Sequence, residues 1–149
     1  MKRIQTLSLN LFLSFLILFS LSACVAPTGT KFIKKAPVQK GYSNVYLYRP
    51  FNVMGGASPS VLHNGKEISN FLGNQTFIKY SIKPGQHTFE TSLLLVRAIP
   101  VTIESKRAGE TRYIRVEYKF GVPYAFKMVE APEATALSEL ASCVNAQGN

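Results

Sequence analysis

From residue 43 onward, hydrophobic and polar residues alternate along most of the chain, and a period of two predicts β-strands. The clearest case is the segment 112–120, where Ile, Val, Tyr and Phe alternate with Tyr, Arg, Glu and Lys. The same pattern, rich in β-branched and aromatic residues, predicts further strands at residues 44–49, 61–63, 66–68, 76–82, 87–93, 99–105 and 124–129. The chain therefore carries seven or eight short strands.

Turn signals separate these strands. Asn64-Gly65 predicts a two-residue β-hairpin, because both residues tolerate the positive φ that such a turn needs. Lys83-Pro84-Gly85 and Ala108-Gly109 predict two more turns. Residues 132–143 are the only stretch with a helical period, and Pro132 suits its first turn. We therefore expect an all-β fold, an antiparallel β-sandwich with one short C-terminal helix.

The N-terminal segment has a different pattern. Lys2 and Arg3 precede an apolar run over residues 7–21, which ends in Leu21-Ser22-Ala23-Cys24. This is the layout of a bacterial lipoprotein signal, with cleavage between Ala23 and Cys24 and lipid attached to the Cys24 sulfur. An uncleaved membrane helix is the alternative, but the run is short and contains polar residues.

The lipoprotein interpretation divides the chain into a signal peptide (1–23), a lipidated tether (24–42), a β-sandwich domain with its helix (43–143) and a flexible tail (144–149). Residues 25–42 hold proline, glycine and four lysines without a sustained period, as in a linker. Val25 after the cysteine favours the outer membrane over the inner one. We expect the periplasmic face of the outer membrane, with the lipid as the membrane contact.

The 149 residues carry a formal charge of +9. This charge favours an anionic envelope component or an acidic envelope protein as partner, and a secreted lipoprotein rarely meets nucleic acid. Besides Cys24 the chain has a single cysteine, Cys143. With Cys24 lipidated, Cys143 has no partner for an intrachain disulfide, so it is either an unselected or half-buried thiol or a link to another chain.

A set of short motifs occurs in a fixed order along the domain. It comprises Tyr46-Leu47-Tyr48-Arg49, Asn64-Gly65, Pro84-Gly85-Gln86-His87 and, after Gly109, Tyr113-Ile114-Arg115-Val116. This set resembles a family of small bacterial lipoproteins of unknown function and covers residues 43–141. The resemblance implies a lipid-anchored β-domain in the cell envelope, and it implies no catalytic residues. Most members place aspartate where this chain has Asn64, which serves the same turn.

Candidate catalytic chemistry is sparse. The chain has no aspartate, and its eight glutamates are scattered singly. His63 and His87 lack the spacing of metal ligands; we expect His63 in solvent at the hairpin tip and His87 buried against backbone. There is no nucleophile motif and no phosphate-binding loop. We therefore predict a non-enzymatic protein with no catalytic residues, metal or cofactor.

Two apolar segments break the alternation, Phe51 to Gly56 and Leu93 to Val96. Each is either buried or exposed to a partner or the bilayer. The candidate binding-surface residues are Arg49, Phe51, Met54, Leu94 and Val96. The leading hypothesis is a membrane-anchored binding or accessory module of the envelope. The alternative is a small envelope hydrolase or an enzyme inhibitor.

Overall fold

The computed structural model describes residues 29–34, 36–53, 56–93, 96–97, 99–119 and 125–147. The predicted signal peptide and lipid site lie outside these ranges. The elements are β1 Ser43–Arg49, β2 Ser60–His63, β3 Lys66–Ser69, β4 Thr76–Ile82, β5 Gly85–Leu93, β6 Val96–Arg97, β7 Val101–Ser105, β8 Thr111–Lys119, β9 Ala125–Glu130, α1 Glu133–Leu140 and β10 Val144–Asn145.

The strands form two sheets, and the predicted all-β sandwich with one short helix is confirmed. The first sheet has the order β10-β4-β1-β8-β9. The second has the order β3-β2-β5, and both β6 and β7 pair with β5 along its remaining side. The two-residue strands β6 and β10 bring the number of strands in the described ranges to ten, above the expected seven or eight.

A single hydrophobic core lies between the sheets. Inward-facing residues of β1, β4, β8 and β9 meet those of β2, β5 and β7, as the alternating pattern predicted. The buried members are Val45, Leu47, Val61, Leu72, Ile78, Ile82, Phe89, Ile103, Ile114, Val116, Phe126 and Met128. Their removal from water is the main stabilising term of the fold.

The outer face of the first sheet is covered as well. Tyr46, Tyr48 and Tyr113 project from this face and pack under α1 through Ala136 and Leu140. Every residue of β1 is consequently buried, although only alternate positions face the core. These three tyrosines are therefore packing residues of a second, smaller core.

Two strand pairs depart from the expected antiparallel arrangement. β1 pairs with β8 in parallel, and β10 pairs with β4 in parallel. Both parallel pairs join distant segments, and local turn signals carry no information about them. The β10 pairing also places Val144 and Asn145 in the sheet, where a flexible tail was expected.

The segment 24–42, expected to be a tether, contacts the domain along its described part. Lys31 forms a bridge with Val144, and the Phe32 ring lies edge-on to Tyr46, with 5.2 Å between centroids. The Lys79 ammonium donates to the Pro37 carbonyl at 2.9 Å. The domain thus includes most of this segment.

The Asn64-Gly65 hairpin is confirmed. Asn64 has φ 49° and Gly65 has φ 77°, as a primed two-residue turn requires. His63 and Lys66 pair directly across it. The turn is fixed further by the Asn64 side chain, whose Oδ1 accepts from the Thr88 amide at 2.9 Å.

Candidate functional site

Three of the predicted binding-surface residues, Arg49, Phe51 and Val96, are described, and they lie toward one end of the sandwich. At this end β1 finishes at Arg49, which pairs with Thr76 at the start of β4. In the second sheet Ser60 at the start of β2 pairs with Ser92 near the end of β5. Phe51 lies two residues after Arg49, in the loop that follows β1. The backbone of Val96 pairs with Leu93. Met54 and Leu94, like Ala23 and Cys24, lie outside the described residues.

Exposed apolar side chains concentrate at this end. Phe51 is 62% exposed, Val53 is 88% exposed and Phe71 is 43% exposed. Ile99, 43% exposed, exchanges backbone hydrogen bonds with Phe126 and Met128 of β9 near the same end. Large exposed apolar residues on several neighbouring loops are typical of a surface that contacts a partner or a membrane.

Hydrogen bonds hold two of these loops together. The Asn52 amide donates to Asn74 Oδ1 at 2.9 Å, and Asn74 Nδ2 donates back to the Asn52 carbonyl at 3.1 Å. This reciprocal pair fixes Phe51 and Val53, on one loop, relative to Phe71 on the other. The apolar side chains are therefore presented by an ordered pair of loops.

Four segments that join the strand ends found here contain no charged residue in the sequence. They are residues 50–59, residues 70–75, the two residues between the paired Leu93 and Val96, and residues 120–124 between the paired Lys119 and Ala125; of these, 54–55, 94–95 and 120–124 lie outside the described residues. Together they comprise 23 residues in a chain of which 17% are charged. We call this the uncharged end.

The opposite end is basic. Its connections include Lys83 after β4 and the segment Lys106–Glu110 between β7 and β8. Backbone contacts order it: the Gly109 amide donates to the Tyr42 carbonyl at 2.8 Å. The exposed cations there are Lys40, Lys66, Lys83, Lys106 and Arg107. We call this the basic end.

Arg49 is a correction to the predicted surface, because its side chain is buried with 1% exposed. Its Nη1 donates to the carbonyls of Ala57 and Leu72, and its guanidinium lies 5.1 Å from the centroid of the Phe126 ring. Burial lowers the pKa of Arg49. Arg49 therefore ties the loops of the uncharged end to the core and does not contact solvent partners. In the sequence Arg49 is a charged residue at the end of an alternating strand, and this pattern does not predict that its side chain is buried.

A shallow cavity of about 280 Å³ adjoins Arg49. Phe51, Arg115 and Glu117 also line it. Arg115 binds Glu117 and, at 2.9 Å, Glu139 of α1. Through these two ion pairs Arg115 links a glutamate of its own strand β8 to α1. The Tyr48 hydroxyl also donates to Glu139 at 2.6 Å, which anchors α1 on the sheet.

The two histidines meet across β2 and β5. His63 Nε2 lies 2.8 Å from His87 Nδ1, and His87 Nε2 donates to the Lys83 carbonyl at 2.8 Å. The His63 ring also stacks on Phe89, with 4.8 Å between centroids. His63 is therefore half-buried, not solvated at the hairpin tip as expected. The expected backbone bond of His87 is present.

Cys143 is buried, with 1% exposed. Burial raises the pKa of its thiol to about 11. The thiol lies 3.5 Å from the Glu139 carbonyl. Of the two interpretations that the sequence left open, the structure favours a packed thiol over a link to another chain, and the thiol is more deeply buried than the half-buried one expected.

Three further observations complete the site. Within the described ranges, no three His, Cys, Asp or Glu residues gather as a metal site would require. The described helices lack the length and apolar character needed to cross a bilayer.

Comparison with known proteins found no match to a protein-family model, a curated protein or a solved structure.

Proposed function

We propose that this chain is a lipid-anchored lipoprotein of the bacterial cell envelope, with a β-sandwich that acts as a non-enzymatic binding or accessory module. The observation that carries the proposal is the polarity of the sandwich. Four of the five exposed large apolar side chains among the described residues lie at or near one end, and five exposed cations lie at the other. An enzyme needs convergent reactive groups in a cleft, whereas this arrangement offers two extended contact surfaces.

The anchor follows from Leu21-Ser22-Ala23-Cys24 and stays a prediction, as do the outer-membrane location and the resemblance to small lipoproteins. Lipidation would supply membrane affinity through the acyl chains, at about 0.8 kcal/mol per buried methylene. The domain would then need only modest affinity for its target, because anchoring restricts both to the same surface and raises their effective concentration.

The basic end supports an anionic partner, an acidic protein or an anionic envelope polymer. Of its exposed side chains, Arg107 is paired with Glu110 at 3.6 Å. Lys66 and Lys83 lie on the neighbouring hairpin and turn, both exposed. Exposed cations attract an anionic partner mainly through long-range steering, which salt screens.

The test is in-cell crosslinking of a C-terminally tagged chain at native expression, followed by detergent extraction and mass spectrometry. The Cys24→Ala variant runs alongside, as does a Lys66→Glu/Lys83→Glu variant that reverses two charges at the basic end. We expect one or two near-stoichiometric envelope partners, weakened by loss of the anchor and lost on charge reversal. Recovery of only abundant envelope proteins in all samples would reject a dedicated partner.

A further inference from the structure

We infer that the basic end binds an anionic partner together with one proton, and that His63 is the group that takes up this proton. The inference rests on the proposed function of the basic end and adds its regulation, because the partner is then held more tightly as the surroundings become more acidic. It follows from the position of the two histidines, between the hairpin that carries Lys66 and the turn that carries Lys83.

The histidine pair connects two segments of the basic end. His63 is the last residue of β2 and pairs with Lys66 across the tight turn. His87 Nε2 donates to the Lys83 carbonyl, and Lys83 is exposed in the turn before β5. A charge on the His63 ring therefore lies next to the segments that present these two cations to a partner.

The His63 ring is held in a fixed position. It stacks on Phe89, with 4.8 Å between centroids, and lies edge-on to Tyr80, with 5.2 Å between centroids. The hairpin tip is docked on β5 as well, since the Asn64 amide donates to the Thr88 carbonyl at 2.8 Å and the Thr88 amide donates to Asn64 Oδ1 at 2.9 Å. A charge on His63 therefore stays beside the cations and adds to their field.

The hydrogen bonds of the pair determine which nitrogen takes the proton. His63 Nε2 faces His87 Nδ1 at 2.8 Å, and His87 Nε2 is engaged with the Lys83 carbonyl. A proton on His87 Nδ1 would set two N–H groups against each other, whereas a proton on His63 Nδ1 leaves the bonds intact and gives the first of them a charged donor. The pair therefore takes up one proton, at His63 Nδ1, without rearrangement.

Titratable or charged groups face the His63 side of the second sheet from several elements. They are His87 on β5, Tyr80 on β4, Lys66 on β3 and Lys83 in the turn before β5. Glu67 and Glu104 lie on the other face of this sheet, because they alternate along their strands with Lys66 and Ile103, which pair with His63 and His87.

A bound anion supplies the negative charge that favours a protonated His63. Burial first, and the neighbouring His87 second, lower the pKa of His63 in the free protein. An anion on Lys66 and Lys83 raises this pKa again, because an opposite charge nearby stabilises the imidazolium. Linkage is reciprocal, so protonation of His63 raises the affinity for the anion by the same factor.

The test measures binding of dextran sulfate, whose sulfate groups stay ionised at both pH 7.5 and pH 5.5. The unmodified full-length chain, purified from membranes in a neutral detergent, is compared with His63→Gln, which keeps a donor toward His87 and does not titrate. The matched control is Lys106→Gln, which removes an exposed cation of the same end. Circular dichroism verifies the fold. The chain has two histidines, so ¹³C labelling at Cε1 follows the titration of His63 with and without dextran sulfate.

We expect the unmodified protein to bind about two- to fivefold more tightly at pH 5.5 than at pH 7.5, as one added and partly screened charge would cause. Lys106→Gln should bind more weakly at both pH values with the same ratio between them, and His63→Gln should lose the ratio. Dextran sulfate should raise the pKa of His63 in the unmodified protein.

Two results would overturn the proton uptake and leave anion binding intact: an equal pH ratio in His63→Gln and the unmodified protein, or a pKa of His63 that dextran sulfate does not change. The second result is read in the unmodified chain, so it does not depend on how well the variant folds. No binding at either pH would reject the basic end as an anion-binding surface, and this inference with it.

Discussion

His63 Nε2 and His87 Nδ1 lie 2.8 Å apart in a chain of hydrogen bonds that ends on the Lys83 carbonyl. Because a carbonyl oxygen only accepts, His87 Nε2 carries the hydrogen and its Nδ1 accepts from His63. When both rings are neutral, each histidine therefore carries its hydrogen on Nε2. The pair connects the β2–β3 hairpin to the turn before β5, at the basic end.

Lowering the pH should destabilise the protein through His63. Burial first, and the neighbouring His87 second, lower the pKa of His63 below its usual 6.5. The unfolded chain therefore takes up this proton before the folded chain does, so stability falls as the pH drops from about 6.5 through the folded pKa. The effect is measured as the urea midpoint of unfolding at pH 7.5 and at pH 5.5. Both pH values lie above the range in which glutamate usually titrates.

The comparison variant for this effect is His63→Gln, which keeps a side-chain donor toward His87 but does not titrate. We expect a smaller loss of stability between pH 7.5 and 5.5 than in the unmodified protein. An equal loss in both proteins would show that other groups cause the pH dependence.

Arg49→Met should lower the free energy of unfolding by about 2–4 kcal/mol. The substitution removes the donor to the Ala57 and Leu72 carbonyls, and each buried acceptor left without a partner costs about 1–3 kcal/mol. Loss of the buried charge offsets part of this cost. Urea denaturation measures the change. The control is Arg107→Met, because the Arg107 side chain is 86% exposed. This substitution should change the free energy of unfolding by less than about 0.5 kcal/mol. Similar losses in both variants would contradict the role of Arg49.

The Cys143 thiol should react slowly with an aromatic disulfide reagent in the native protein at pH 8. Its pKa of about 11 leaves little thiolate, and 1% exposure blocks access. The measurement uses the Cys24→Ala chain, so that Cys143 is the only thiol. We expect full reaction within minutes in 6 M guanidinium and a rate at least 100-fold lower in buffer. Prompt reaction of the native protein would show that the thiol is accessible.

Asn74→Ala should loosen the uncharged end while leaving the fold intact. It removes both hydrogen bonds to the Asn52 backbone, at a cost of about 1–2 kcal/mol. A single tryptophan introduced as Val53→Trp, in a chain without tryptophan, should show lower fluorescence anisotropy in this background, because the loop that carries it is less restrained. Asn70→Ala, at an exposed position in the same connection, is the control; equal anisotropy in the two backgrounds would show that the Asn52–Asn74 pair does not order the apolar loops.

Much of the fold was predictable because its determinants are local. In β8 the alternation of Ile114 and Val116 with Arg115 and Glu117 depends on one strand and one buried face. The Asn64-Gly65 turn depends on two residues that tolerate positive φ. The burial of Arg49 and the contact between His63 and His87 were not predictable, because each depends on segments that meet only after folding.

The sequence by itself determined which residues form the eight longer strands, which side of each faces the core and where the tight turn lies, since these follow from side-chain alternation and backbone torsion preferences. Tertiary structure alone decided the parallel β1–β8 pairing, the covering of the tyrosine face by α1 and the gathering of uncharged connections at one end of the sandwich. The physical reason is that strand order is set by the burial of distant surfaces against one another, and local periodicity carries no record of which distant surfaces will meet.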